Sequence, residues 1–117
     1  MLKLVAAVLL TLLFSGCIII PNPSDCSQLP YEKQRNACHQ DNAYIYAIRG
    51  QVFSGVSSCA QITDKDKRNR DQCYFDVASI TKNVTVCGYI SDIDLVEDCS
   101  VRVYNIVNCI YSDKSCQ

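Results

Sequence analysis

The 117-residue chain has a single histidine, no Cys-x-x-Cys pair, no Gly-x-Ser-x-Gly element and almost no net charge. Each shortage excludes a kind of chemistry. A zinc centre needs several Cys, His or carboxylate ligands at set spacings, and oxidised cysteines do not ligate the metal. His39 directly follows Cys38 and has no such company, so neither a metal nor a cofactor is expected. A serine-hydrolase triad needs a nucleophile on a strained elbow together with a histidine, and nothing singles out His39 for that task. A Cys-His nucleophile would require a free Cys38, against the pairing argued below. Asp64 with Asp66, and Asp92 with Asp94, have the composition for acid and base work on glycans. They stand where helices should start, and carboxylates are favoured there by the positive helix end. The chain reads as a protein without catalytic activity. Eleven basic against twelve acidic residues give no electrostatic footprint for nucleic acid.

What the chain does have is cysteine, nine in all, set in a repeat. Each copy opens with Cys, two residues and a branched aliphatic: Cys26 to Leu29, Cys59 to Ile62, Cys87 to Ile90. A second cysteine follows at Cys38, Cys73 and Cys99, and isoleucine comes seven residues later at Ile45, Ile80 and Ile106. Four residues after that cysteine stand Asn42, Val77 and Val103, so the first copy departs from the pattern. Offsets of four and seven place these side chains on one helical face beside the cysteine. Continuous helix between the two cysteines of a copy would hold them roughly 18 to 21 Å apart, whereas a disulfide needs Cα atoms about 5.5 Å apart. A bonded pair therefore requires the Cys-x-x-Leu/Ile segment to fold back on the helix that follows. Pro30, Thr63 with Asp66, and Ser91 with Asp94 sit where turns and caps are then needed. The last two have the form of a capping box, with Asp64 as an alternative cap and Ile90 with Leu95 as a hydrophobic staple.

The N-terminus reads as an export signal: Lys3, an apolar run from Leu4 to Phe14, then Ser15 and Gly16 before Cys17. Phe14-Ser15-Gly16-Cys17 resembles the lipobox of prokaryotic lipoproteins, with Phe14 where that family usually has Leu. The resemblance covers about the first seventeen residues and implies that the leader is cut before Cys17 and that Cys17 carries a diacylglycerol thioether. The alternative is an uncleaved anchor, since Leu4 to Ile20 is seventeen mostly apolar residues, the lower edge of a spanning helix. Both tether the chain by a membrane, outside the cytoplasm. Assigning Cys17 to lipid turns an odd cysteine count into eight, and an oxidising compartment makes these four disulfides. Roughly a hundred connectivities exist for eight cysteines. The internal repeat favours Cys26 with Cys38, Cys59 with Cys73, Cys87 with Cys99, and Cys109 with Cys116.

The expected fold is all-α: a small disulfide-stapled domain of helical-hairpin repeats, about three long helices with short fold-back segments. Residues 1–16 are the lipoprotein signal peptide, 17–25 the lipidated N-terminus and tether, and 26–117 the cysteine-rich repeat domain. The first helix spans Pro30 to Arg49, with Ala37, Cys38, Tyr44, Ile45 and Ile48 as its apolar side, and ends at Arg49 and Gly50. Gln51 to Ser58 reads as a linker or brief extra turn. The second helix ends near Lys82 and Asn83, and Val84 to Ile90 is the fold-back segment of the third copy. The third helix runs from Asp92 to Val107, and Ile110 to Gln117 is a cap closed by Cys116. So short a chain buries a thin core. Four loops of this size, each contributing about 3 kcal/mol, would match the whole stability of an ordinary domain.

The repeat, carried by Cys59-x-x-Ile62, Arg70-Asp71-x-Cys73-Tyr74-x-x-Val77-Ala78 and the echo from Cys87 to Val103, resembles short cysteine-bearing helical repeats of exported prokaryotic, including archaeal, proteins. No activity comes with that resemblance. Disulfide-bridged Sel1-like repeats are longer and richer in regularly placed Ala and Gly. The basic run Lys65, Lys67, Arg68 and Arg70 is a candidate docking surface for an anionic partner, or else a solvated face of mixed charge. The seven tyrosines are expected mostly as packing residues with their hydroxyls in water. Asn83-Val84-Thr85 is a glycosylation sequon, expected to stay unmodified in a prokaryote. The expectation is a membrane lipoprotein, held by its lipid anchor at the cell surface or in the periplasm, that acts as a non-catalytic module binding an envelope or extracellular protein. The alternatives are a structural or protective envelope lipoprotein without a ligand, and a small glycan-binding or hydrolytic protein.

Overall fold

The structure, a computed structural model, describes residues 20–112, with side chains as far as Asn108. The leader, Cys17 and the expected Cys109–Cys116 bond lie outside the described residues or their described side chains. Four α-helices follow one another: α1 (Glu32–Ile48), α2 (Val52–Ala60), α3 (Lys67–Thr81) and α4 (Ile93–Ser112). Short 3-10 segments at Cys26–Gln28, Asp64–Asp66 and Val84–Tyr89 connect them, and no strand occurs among the described residues. The domain is all-α.

Three disulfides join Cys26 to Cys38, Cys59 to Cys73 and Cys87 to Cys99, with Cα separations of 5.6, 5.6 and 5.8 Å. The fold-back geometry is the same in each copy. The amide of the aliphatic residue donates to the carbonyl of the opening cysteine: Leu29 to Cys26 at 3.3 Å, Ile62 to Cys59 at 3.1 Å, Ile90 to Cys87 at 3.2 Å. That single turn brings the opening cysteine beside the helix that follows. Three such bonds point to an oxidising, extracytoplasmic compartment. No helix among the described residues is long and apolar enough to cross a membrane.

The bonds also build the core. Cys59, Cys73, Cys87 and Cys99 are fully buried with Ile62, Val77 and Val103. Ala43, Ala47, Tyr74, Ala78, Val86 and Ile90 complete the cluster. Sulfur thus fills space that a larger domain would fill with Leu and Ile, while each loop also constrains the unfolded chain by about 3 kcal/mol.

Several local expectations are corrected. Residues 51–58 are no linker: α2 occupies most of them, so Cys59 leaves from the end of a helix rather than from a loop. Gly55, which reads as a loop residue, is instead a point of close approach. A Cβ there would lie 3.3 Å from Val77 Cγ1 and 3.4 Å from the Ala43 carbonyl oxygen, so its absence lets α2 pack closely on both α1 and α3. The buried side of α1 is Asn36, Asn42, Ala43 and Ala47, while Ala37, Tyr44 and Ile48 are exposed. Small residues face inward because the next repeat packs there. The first helix ends as expected, with Gly50 at φ 73°, where glycine carries no Cβ penalty. The third is longer than expected, running through Cys109 to Ser112.

Candidate functional site

The hydroxyl residues Thr63 and Ser91 do not cap their own helices. Thr63 makes no side-chain cap bond, and α4 is capped by Asp92, whose Oδ1 accepts from the amides of Asp94 at 3.0 Å and Leu95 at 3.1 Å. Nor does Asp64 cap α3; it pairs with Arg70. The hydroxyls are held instead by the preceding repeat. In the first junction the Thr63 amide donates to Asn36 Oδ1 at 3.2 Å, and Asn36 Nδ2 donates to Thr63 Oγ1 at 3.0 Å. Thr63 Oγ1 in turn donates to Glu32 Oε1 at 2.6 Å. In the second, Asp71 Oδ1 accepts from the Ser91 amide at 3.0 Å, Asp71 Oδ2 accepts from the Asp92 amide at 3.1 Å, and the Ser91 hydroxyl lies 2.9 and 2.7 Å from the two oxygens.

Asn36 and Asp71 each stand two residues before the second cysteine of their copy, and Thr63 and Ser91 each follow the aliphatic residue of the next copy. The junction is a repeated clasp. The difference between amide and carboxylate follows from the residue one turn earlier. Glu32 takes the Thr63 proton, so the Thr63 oxygen can only accept, and Asn36 supplies the donor. Lys67 stands at the corresponding place before Asp71, the Ser91 proton has no rival acceptor, and a carboxylate can take all three protons. Burial alone would push the Asp71 carboxyl up. The Ser91 amide and hydroxyl, the Asp92 amide and the Lys67 ammonium together outweigh it and hold Asp71 below the ordinary 3.8.

At the third copy the corresponding residue is Glu97, which is exposed on α4. Around it the helix shows Ile93, 82% exposed, Val101, 54% exposed, and Tyr104, 65% exposed. These residues recur at spacings of four, eight and eleven and share one face. Tyr104 occupies the place held by Ala43 and Ala78 in the first two copies, which are 1% and 0% exposed beneath the repeat that follows. The helix face that receives the next repeat twice is exposed at the third copy among the described residues, and tyrosine replaces alanine on it. Among the described side chains Tyr31, Tyr44, Tyr89 and Tyr104 are exposed, Tyr46 is half-buried, and only Tyr74 is buried, stacked on Tyr89 with centroids 5.4 Å apart. The expectation that most tyrosines are packing residues is corrected accordingly.

The four basic candidates divide. Lys65 lies 3.9 Å from Glu32, and Arg70 is paired with Asp64. Lys67 and Arg68 line a groove of about 700 Å³ with Asp71, Gln72, Asp92, Asp94, Leu95 and Asp98. The central groups of that groove are already committed, Asp71 to the clasp and Asp92 to the helix cap. His39 titrates below the ordinary 6.5 because partial burial and the Arg35 charge disfavour its cation. No group of three or more metal-ligating side chains occurs among the described residues. The Asn83 side chain accepts from the Thr85 amide and starts the Val84–Tyr89 segment.

No protein-family model, curated protein or solved structure matches this chain. Its function is argued from its own surface.

Proposed function

We propose that this protein is an exported lipoprotein, anchored through Cys17, whose stapled helical repeats form a non-catalytic module for binding another envelope or extracellular protein. The anchor rests on the lipobox-like ending of the leader and on the cysteine count. The interaction role rests on one observation: the outer face of α4, where the exposed Ile93, Val101 and Tyr104 surround Glu97. Interfaces are enriched in aromatic residues such as Tyr104, and the central Glu97 carboxylate calls for a partner that supplies a hydrogen-bond donor. Tyr104 is too large to admit a further repeat of the same kind, which sets its neighbours' close approach through alanine. The face is therefore suited to a different partner.

Two measurements test this. Intact-mass analysis of the membrane fraction before and after reduction reports acylation at Cys17 and the number of disulfides together. Affinity capture from detergent-solubilised membranes then compares the wild-type chain with V101K/Y104K. A stoichiometric partner retained by the first and lost by the second supports the reading. With no stoichiometric partner, the structural or protective envelope role takes its place.

A further inference from the structure

We propose that the end of the domain formed by the α1–α2 turn and the C-terminus of α3 seats on the surface of the anchoring bilayer, with Phe53 inserted among the lipids. The inference rests on the lipoprotein reading above and adds an orientation to it. The tether is pinned to the domain. The Ser24 amide donates to Asn42 Oδ1 at 2.9 Å, and Asn42 Nδ2 donates to the Ser24 carbonyl at 2.7 Å. One residue group earlier, Arg49 Nη2 donates to the Pro21 carbonyl and to Asn22 Oδ1, both at 3.1 Å. The chain therefore leaves the domain beside Arg49, at the C-terminal end of α1. Pro21 lies four steps along the chain from Cys17, and even fully extended these span at most about 14 Å. An acyl group on Cys17 holds this end, and no other, close to the lipid.

What that end carries suits the contact. The bond between Cys59 and Cys73 and the packing of Gly55 on Val77 set α2 and α3 antiparallel in one register. Extended past the helix ends, that register would set Lys82 near the level of Gly50. Phe53, 85% exposed in the first turn of α2, and the exposed Ile48, at the end of α1, both belong to this end. Arg49 and Lys82 supply positive charge. No Asp or Glu occurs from Ala43 to Thr63 or from Val77 to Ser91, so neither stretch opposes an anionic headgroup layer. Five of the twelve acids, Glu32, Asp64, Asp66, Asp92 and Asp94, stand at helix starts, and Asp25 is the acid nearest the tether. An aromatic with flanking cations at an interface combines apolar insertion with attraction to anionic lipid.

The chain has no tryptophan, so F53W places a single reporter at the tip, and Y31W places one at the opposite end of α1, roughly 25 Å away along the helix. Both full-length variants are recovered from membranes, checked by intact mass for acylation, and reconstituted into phosphatidylglycerol vesicles with brominated acyl chains. For a side chain at a depth of about 5 to 10 Å, F53W emission should fall roughly twofold relative to unbrominated vesicles, with Y31W unchanged. Three results overturn the seating while leaving the anchor intact. In the first, F53W is open to aqueous acrylamide and untouched by bromine. In the second, F53W is shielded from both, which points to a covering protein. In the third, the two variants are quenched equally. An unacylated mass overturns the anchor itself and the seating with it.

Discussion

Replacing Asp71 by alanine is the sharpest test of the clasp. The side chain is 3% exposed and receives the Ser91 amide, the Ser91 hydroxyl and the Asp92 amide. The hydroxyl has one proton, so the four short distances amount to three bonds. Hydrogen bonds to a charged group contribute about 1.5 to 3 kcal/mol each. Ser91 and Asp92 are themselves exposed, so water can take over part of the lost bonding, and bonds in one network do not add. The expected cost is about 2 to 4 kcal/mol, a large share of the roughly 5 to 15 kcal/mol of a typical domain. N36A removes only neutral bonds at the first junction, worth about 1 to 2 kcal/mol together. D71N keeps one acceptor but turns an amide donor toward the Ser91 or Asp92 amide, and should fall between D71A and wild type. Urea unfolding under non-reducing conditions, followed by circular dichroism, gives the free energies. Amide exchange at Ser91 and Asp92 gives their location. A D71A cost below that of N36A, or unaltered exchange at those two amides, would refute the clasp as a source of cohesion between repeats.

Acid should open the second junction selectively. Because Asp71 titrates below the ordinary 3.8 in the folded protein, its contribution is complete above that value and is lost as the pH falls through the lower folded one. His39, held below 6.5, adds a separate loss that begins as the pH drops past 6.5, since the unfolded chain takes up that proton more readily. Amide exchange measured against pH should show Ser91 and Asp92 losing protection before Thr63; simultaneous loss would count against the assignment. Lys82 caps α3 at φ 55°, a left-handed conformation that glycine adopts without a Cβ clash, so K82G should raise stability by about 1 kcal/mol in urea unfolding. N42V installs the residue type found at Val77 and Val103. It should speed exchange at the Ser24 amide while leaving the unfolding midpoint unchanged or higher; a Ser24 amide as protected as before would show that the tether is held by something else.

The staples were legible because their partners are near in sequence. A separation of 12 or 14 residues, read against the length of a helix, leaves folding back as the geometry that closes the bond. The three copies then agree on which cysteines pair. The caps misled for the opposite reason. A hydroxyl followed three residues later by an acid satisfies the local pattern of a capping box, but Thr63 and Ser91 are bonded to residues 27 and 20 positions away, and no local rule weighs a distant competitor. A signal was present in the repeat register, since Asn36, Asp71 and Glu97 all stand two residues before a cysteine. Asn42 was visible as a departure, and its purpose appears only when Ser24 is seen lying across it.

From the order of its residues alone, this chain determined its helical class, its opening turns and three of its bonds, because each depends on contacts within about one repeat. The clasps, the helix hidden behind Gly55 and the open face of α4 depend on how successive repeats lie against one another. Whether an alanine or a tyrosine on such a face is buried or bare depends on what packs against it, and only the assembled fold decides that.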